Sequence, residues 1–327
     1  MKRFAVLGYF ALILLYLQLI SAFEIILSTH EELCLTRRNT TGEKSARQSE
    51  LQEIKDLLST LKNDISKLND EVVQIKERLM EREACKQVDT VYESCHQALQ
   101  QNNHAKNGVY RIKAKTPTNF TNVYCRMTSL PGCAGGGWTM VMKINGSKET
   151  FSYLSPYWSN SKSYLRANGK TGLDDNETKL ATFWSTPFTQ LCVGMKVDNL
   201  VRFIPIRYKA NSLYDVLADG KFRPTIIPRN TWKSLYNNSS LQYNCGRQGF
   251  NVAGEDKHHA RVRIGIIGNQ EPTCVSPDSF IGFGAIDASQ RRYCHQTNII
   301  NSCGNSAYCI SDNGDKEVRA MGYIFVR

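Results

Sequence analysis

Residues 311–317 concentrate side chains that could bind a metal ion. Asp312, Asn313, Asp315 and Glu317 lie within one short segment around Gly314. Calcium takes roughly six to eight oxygen ligands, and carboxylates and amides in a single turn could supply several of them. The alternative is an ordinary solvated turn, because Asp, Asn and Gly are also typical turn residues. Calcium is the one cofactor that the sequence suggests, and this segment is its first candidate site.

A second acidic cluster consists of Asp174, Asp175 and Glu177, which surround Asn176. Asn176 begins an Asn-x-Ser/Thr sequon, and a glycan on Asn176 would compete with metal binding at the neighbouring carboxylates. Metal binding is therefore less favoured here than at 311–317.

Histidines and aromatic residues provide other candidates for ligand contact. His258 and His259 are adjacent, and adjacent residues on a strand point to opposite faces, so we expect them to be separate surface residues. His295 is interpreted in the same way. Aromatic side chains could stack on sugar rings, although they more often fill a core. The aromatic candidates are Tyr153, Tyr157 and Trp158.

The sequence contains none of the common catalytic motifs. It has no Gly-x-Ser-x-Gly, no His-Glu-x-x-His and no phosphate-binding Gly-x-x-x-x-Gly-Lys-Ser/Thr segment. The three glycines at 135–137 lack the strand–turn–helix context of a dinucleotide site. We therefore predict a binding protein rather than an enzyme.

A heptad pattern spans residues 51–79. The steps between apolar residues alternate three and four without a break, which is the 3.5-residue period of a coiled coil. These residues are Leu51, Ile54, Leu58, Leu61, Ile65, Leu68, Val72, Ile75 and Leu79. The pattern predicts a coiled coil over 49–84, after a linker over 23–48, and a second copy of the chain as partner.

The nine apolar residues of the heptad pattern form the seam of the predicted coiled coil, and their types indicate how many chains it contains. With Leu51 at position a, Ile54 and Ile75 occupy d positions, and Ile at d favours trimers or tetramers over parallel dimers. Leu at the remaining d positions favours dimers, so a trimer is the preferred but not the sole interpretation. Glu71 at g and Lys76 at the next e could pair across parallel chains. Cys34 and Cys85 flank the seam and could form either interchain or intrachain bridges.

The N-terminus predicts export. Lys2 and Arg3 precede an apolar run over residues 4–20, and Ala22 provides a cleavage site, which is the pattern of a signal peptide over 1–22. The alternative is an uncleaved membrane anchor, since the run is near the lower limit for a spanning helix.

Eleven cysteines at wide spacing indicate disulfides rather than zinc, and the odd count suggests an intermolecular bond or a free thiol.

Glycosylation and charge also fit an extracellular protein. The six sequons begin at Asn39, Asn119, Asn145, Asn176, Asn237 and Asn238. The chain has a net charge of +11, or +9 without the two basic residues of the signal peptide. Such a charge favours acidic polymers or membrane surfaces as partners. Since no run of five basic residues occurs, nucleic acid is not an expected partner.

Residues 90–327 change in character, from heptads to short β-rich runs between Gly, Asn, Ser and Pro clusters. They predict a disulfide-stapled α+β globular domain. Helices are expected near Tyr92–Gln101 and Pro228–Tyr236. Strands are expected at Gly108–Ile112, Val123–Cys125, Trp138–Lys143, Val201–Tyr208, Ala260–Ile267 and Met321–Val326.

Part of this domain resembles a known family. Cys95, then Gly-Val-Tyr-Arg-Ile at 108–112, Val-Tyr-Cys-Arg-Met-Thr at 123–128 and Gly-Gly-Gly-Trp-Thr at 135–139 together resemble the opening of a fibrinogen-like C-terminal domain. The match covers Cys95–Met142, and the tail at 317–327 resembles the intelectin branch. The resemblance implies a Cys95–Cys125 disulfide and a close-packed glycine turn before Trp138. The sequence departs from the family at Arg126, where an acid is usual.

The resemblance also implies a function. Fibrinogen-related domains are extracellular recognition modules, so we expect a secreted oligomer that binds glycans or acidic matrix polymers, as a lectin or as a protein of an extracellular matrix, mineralised or not. The alternative is a type II membrane-anchored fibrinogen-like receptor for acetylated or acidic glycans.

Overall fold

The computed structural model describes residues 41–256, 258–286 and 300–327, with side chains in the first helix described over 48–79. Residues 88–327 form one compact unit, called the head below, and the helical residues before them belong to another. Several sequence predictions fall outside the described backbone or side chains. These are the signal peptide over 1–22, Cys34, Asn39, Cys85, Cys294 and His295.

The first helix, α1, runs from Thr41 to Asp89 over 49 residues. It contains the predicted coiled coil of 49–84 and extends past both of its ends. Residues 41–48, which were predicted to belong to the linker, are helical, and the rest of the predicted linker lies outside the described residues. Glu43, Lys44, Ala46 and Arg47 are good helix formers, so the polar composition that suggested a linker also continues the helix. Among the described residues, no helix is long and apolar enough to cross a membrane.

The heptad seam of α1 is open to solvent. Leu61, Leu68 and Ile75 at d positions are 45%, 56% and 53% exposed. Leu51, Leu58 and Ile65 at a positions are only half-buried. The helix thus leaves its apolar stripe in water, whereas most helical stability in proteins comes from packing of an apolar face.

The head is a mixed α+β unit built on two sheets. The strands of the larger sheet, labelled β1 to β7 and β14 in chain order, are Val91–Tyr92, Gly108–Lys113, Phe120–Arg126, Trp138–Asn145, Thr178–Lys179, Phe188–Val197, Leu200–Ala210 and Met321–Val326. Those of the smaller sheet, β8 to β13, are Arg223–Pro224, Gln248–Ala253, Arg261–Gly268, Ser279–Ile286, Cys303–Ala307 and Lys316–Arg319. The larger sheet has the order β1-β2-β3-β4-β14-β6-β7, with β5 beside β4, and the smaller has the order β13-β12-β11-β10-β9-β8.

Short helices connect the strands. They are α2 (Cys95–Gln101), α3 (Thr182–Ser185), α4 (Leu213–Leu217) and α5 (Arg229–Lys233), with single 3₁₀ turns at Pro156–Trp158 and Arg166–Lys170. The six predicted strands are all present, within three residues at each end. Both predicted helices are present but shorter, because Tyr92 pairs in β1 and Pro228 only precedes α5.

The C-terminal strand β14 occupies the middle of the larger sheet. It pairs with β4 on one side and β6 on the other, and all six of its residues are buried. Tyr323 and Phe325 pack into one apolar cluster, whereas Ile324 and Val326 pack into another. The strand thus contributes to two cores at once.

Three disulfides link distant segments of the head. Cys95–Cys125 ties α2 to β3, and it is the pairing that the family resemblance implies. Cys133–Cys192 and Cys245–Cys274 tie loops to neighbouring elements. Cys309 is also disulfide-bonded. Cys303 is a free, fully buried thiol whose pKa is raised by burial, which makes it unreactive.

The glycine turn before β4 is as closely packed as predicted. A Cβ atom at Gly136 would lie 1.7 Å from the Met127 carbonyl oxygen, and one at Gly137 would lie 2.6 Å from the Cα of His96. Gly137 also has a φ of +77°, which favours glycine. The close approach holds the 127–137 loop against α2.

A lysine is buried in the aromatic part of the core. Lys179 has no exposed surface, and its Nζ donates to the carbonyl oxygens of Tyr157 and Asn160, each at 2.6 Å. The same Nζ lies 4.5 Å from the centroid of Phe183 and 5.4 Å from that of Trp184. No carboxylate among the described residues pairs with it, and burial lowers the pKa of Lys179 to about 7.

The glycine turn gives a stability prediction. Gly136→Ala should lower the free energy of unfolding by about 1–3 kcal/mol, because the new methyl group meets fixed backbone. Gly108→Ala is the matched control, since a Cβ there meets nothing within 4 Å; its effect should stay within about 0.5 kcal/mol. Urea unfolding of both variants measures the difference, and equal midpoints would contradict the packing described for the turn.

The buried lysine gives a pH prediction. Between pH 7 and the unfolded-state pKa of about 10.4, the unfolded chain holds a proton at Lys179 that the folded chain has lost, so folding becomes more favourable as pH rises. Lys179→Met removes this contribution. The difference in unfolding free energy between native protein and variant should therefore rise with pH over this window, by up to about 1.4 kcal/mol per unit. Chemical unfolding at several pH values measures both free energies. If those of the native protein and of Lys179→Met changed in parallel with pH, Lys179 would not titrate in this window.

Candidate functional site

The predicted calcium segment does not gather its acids around one point. Asp312 accepts hydrogen bonds from Lys233 Nζ at 2.5 Å, Arg229 Nη2 at 3.0 Å and the Leu241 amide at 3.0 Å. Burial alone would raise the pKa of Asp312, but these donors outweigh it and the pKa lies below its usual value. A calcium ion at Asp312 would have to displace two protein cations.

The other three residues of that segment have different surroundings. Asn313 Nδ2 donates to the Ser239 carbonyl oxygen at 2.7 Å, and Asp315 is exposed. Glu317 lies on β13, where Asn301 Nδ2 donates to it at 2.8 Å and burial raises its pKa. In the part of the chain that the structure describes, no group of three or more His, Cys, Asp or Glu side chains is arranged to hold a metal ion. The segment is a loop tied to α5 by ion pairs.

The second acidic cluster is likewise divided among separate partners. Asp174 forms an ion pair with the fully buried Lys143, and Asp175 forms one with Lys196 at 2.8 Å. Glu177 is buried and accepts a hydrogen bond from the Asn145 amide at 3.1 Å. These contacts hold the 171–177 loop against the larger sheet.

A polar cavity of about 290 Å³ lies beside this loop, at one end of the larger sheet. Asp175 and Lys196 form one side, and the turn between β6 and β7 contributes a second acid. Arg319 enters from the end of β13. The polar lining residues are Asn145, Asp175, Lys196, Asp198, Asn199 and Arg319. Paired donors and acceptors at this density suit the hydroxyl and charged groups of a saccharide.

The described sequons differ in accessibility. Asn119, Asn176, Asn237 and Asn238 are exposed, whereas Asn145 is half-buried. Asn145 lines the cavity, and its Oδ1 accepts a hydrogen bond from the Ser147 amide at 2.9 Å. A glycan attached to Asn145 would cover the cavity, so glycosylation there and ligand binding in the cavity are alternatives.

The aromatic candidates belong to the core. Trp158 is fully buried, Tyr153 is 9% exposed, and Tyr157 packs against the main apolar cluster. Their place in the core explains them without a ligand.

His258 and His259 do not share a ligand site, as expected. They lie in the turn before β10 rather than on a strand. His258 is exposed, and His259 Nδ1 lies 3.1 Å from Asp278 Oδ1.

An exposed apolar pair was missed by the sequence analysis. Tyr243 and Ile310 are 64% and 78% exposed and flank an antiparallel bridge between Gln242 and Ser311. Ile310 has a φ of +64°, a strained conformation for a β-branched residue. The buried Gln242 holds this backbone by donating to the carbonyl oxygens of Tyr308 and Cys309, each at 3.0 Å. Backbone strain that is held by buried hydrogen bonds is typical of recognition loops. The residue types around Ile310 in the sequence do not indicate this strain.

Comparisons with known proteins add little to this geometry. No protein-family model matches the chain, and no curated protein matches it. Among solved structures, the fibrinogen-like globe domain of human ANGPTL2 is similar, with 16% sequence identity and a TM-score of 0.25. The alignment covers 58% of this chain and 96% of that domain. At this TM-score we base no argument on the likeness, and the fibrinogen-like resemblance enters the next section as a proposal.

Proposed function

We propose that this chain is a secreted, oligomeric recognition or adhesion protein that binds glycans or acidic matrix polymers without catalysis. A coiled-coil stalk carries fibrinogen-like heads of the intelectin type. The open heptad seam of α1 is the observation that carries the proposal, because it requires several copies of the chain and therefore several heads in one assembly.

The seam is long enough to drive association. Nine apolar positions follow one another in strict alternation over 51–79, and each buried Leu, Ile or Val side chain contributes roughly 1.5–3 kcal/mol. In a parallel arrangement, Glu50 faces Lys55 and Glu71 faces Lys76 of the neighbouring chain, which are favourable g-to-e pairs. Leu57 at a g position is 67% exposed and widens the apolar stripe, which together with Ile at d favours a trimer.

The charge of the protein resides on the head. Residues 88–327, the head, contain 28 Lys and Arg against 17 Asp and Glu, whereas residues 1–87 contain 13 against 13. The head therefore has a net charge of +11 and attracts polyanions, while the segment before it is neutral overall. Exposed charge contacts are weak and are screened beyond about 8–10 Å at physiological salt, so several heads are needed for retention.

The fibrinogen-like assignment of the head is supported by local structure. Cys95 and Cys125 form the implied disulfide, and β2 and β4 begin at Gly108 and Trp138, where the motifs place them. Disulfides of this kind are typical of oxidising, extracellular compartments, which supports secretion. Glycosylation at the exposed sequons is part of the same proposal.

The stalk can be tested by charge placed in the seam. Ile65→Asp with Leu68→Asp should convert the oligomer to monomers, because a coiled-coil core does not tolerate buried unpaired acids. Asn63→Asp with Ser66→Asp is the matched control, since it adds the same charge at positions f and b, away from the seam. Light scattering under reducing conditions gives the mass, and an unchanged mass for the seam variant would refute the stalk.

Ligand binding can be tested through its dependence on valency. The full chain should remain on immobilised sulfated or sialylated glycan at physiological salt, whereas the monomeric seam variant should elute, because single-head contacts are weak. The f and b control variant should behave like the native protein. Equal retention of monomer and oligomer would remove valency from the proposal, and absence of retention on every acidic glycan would overturn the proposed ligand class.

A further inference from the structure

Two arginines on β10 share one aromatic side chain. The guanidinium carbon of Arg261 lies 4.8 Å from the ring centroid of Tyr153, and that of Arg263 lies 4.4 Å from it. Both arginines are half-buried, and Tyr153 is almost wholly buried. Cation–π contact with a fixed ring restricts both guanidinium groups, so neither has the freedom of an ordinary surface arginine.

Arg263 is held by the head itself. Its Nε donates to the Tyr153 carbonyl oxygen at 2.8 Å, and its Nη1 donates to Asn251 Oδ1 at 2.7 Å. Asn251 is in turn fixed by carbonyl oxygens of the α4 region, including that of Leu217 at 3.2 Å. These contacts use one side of the guanidinium and set the direction of the rest of the group.

Arg261 has no comparable partners. Within residues 41–256, 258–286 and 300–327, its guanidinium makes no hydrogen bond, and its Nε is a buried donor without an acceptor. The acid that acts on it electrostatically is Asp256, but Asp256 is not within ion-pair distance of Arg261. Asp256 instead accepts a hydrogen bond from the His258 amide at 2.9 Å and lies 3.6 Å from His259.

Two other half-buried arginines of the head are each paired with an acid. Arg223 is paired with Asp219 at 2.8 Å, and Arg229 with Asp312 at 3.0 Å. By contrast, burial lowers the pKa of both Arg261 and Arg263, and the charge of Arg261 lowers the pKa of Arg263 further. Two adjacent, immobilised cations that pair with no carboxylate among the described residues are an environment that an oxyanion would stabilise.

We propose that Arg261 and Arg263, stacked on Tyr153, form an anion site that receives a sulfate ester or carboxylate group of an acidic glycan chain. The proposal rests on the proposed function, in that it assigns the acidic-polymer binding of the head to these residues. Arg261 supplies guanidinium donors that have no partner among the described residues, and Arg263 supplies charge and a fixed orientation. Arginine suits this role because its planar fork can bind two oxygens of one anion.

The test compares Arg261→Gln with Arg202→Gln in the full chain. Each variant removes one positive charge from a half-buried arginine on a strand, but Arg202 lies on β7 and does not contact Tyr153. Binding to immobilised heparin should weaken by about tenfold or more for Arg261→Gln, as expected for loss of charge-assisted hydrogen bonds. Arg202→Gln should change it by less than about threefold, and Arg261→Lys should fall between the two.

The failure of this site can be distinguished from failure of the proposed function. If native protein binds heparin and the two Gln variants elute at the same salt concentration, the polymer-binding function stands and the Arg261–Arg263 site is wrong. A second measurement does not depend on glycan: the thermal stabilisation by sodium sulfate over sodium chloride at equal ionic strength. It should be larger for native protein and Arg202→Gln than for Arg261→Gln, and equal shifts in all three would overturn the site. A parallel sialylated matrix distinguishes carboxylate from sulfate as the preferred group.

Discussion

The head depends on the insertion of its last strand. β14 enters between β4 and β6, which are separated by more than forty residues of chain, and its six residues are buried on both faces. Without β14, β4 and β6 would each expose an unpaired edge, and both apolar clusters would lose side chains. Such non-local pairing makes folding slow in general, because the ends of long loops must meet before any contact forms. The Cys133–Cys192 disulfide ties the 130–137 loop to β6, and it therefore also stabilises the middle of the larger sheet.

The sequence predicted only some of the parts of the fold whose signals are local, since β6 and β11 are apolar runs that were not predicted. β4 and β14 are apolar runs with clear boundaries, and the heptads of α1 need only one period to be recognised. β12 was missed because its residues, Cys-Gly-Asn-Ser-Ala, do not resemble a buried strand. Asn305 is fully buried there only because its amide bonds the carbonyl oxygens of Ser240 and Phe280, which lie in other parts of the chain. No local pattern reveals partners of that kind.

The same limit applies to the candidate sites. Acids that are adjacent in sequence suggested metal binding, yet several of them pair with cations that are distant in sequence: Asp312 with Arg229 and Lys233, and Asp174 with Lys143. Lys143 and Lys179 are fully buried, and the Nζ of Lys179 contacts carbonyl oxygens and aromatic rings instead of water. The spacing of residues in the sequence can therefore identify which side chains could bind a metal or ligand. Which charged side chains remain unpaired is known only after the ion pairs between distant segments have been assigned.

In the proposed oligomer, charge would oppose assembly. Heads of +11 would repel when they are joined, and the repulsion would grow with the number of heads. This charge lies on the head and α1 is almost neutral, so charge on the helix itself would not weaken burial of the seam. Polyanions bound between heads would reduce the repulsion further. Binding of an acidic polymer and assembly on the stalk should then stabilise one another, which is thermodynamic linkage between two distinct surfaces of one chain.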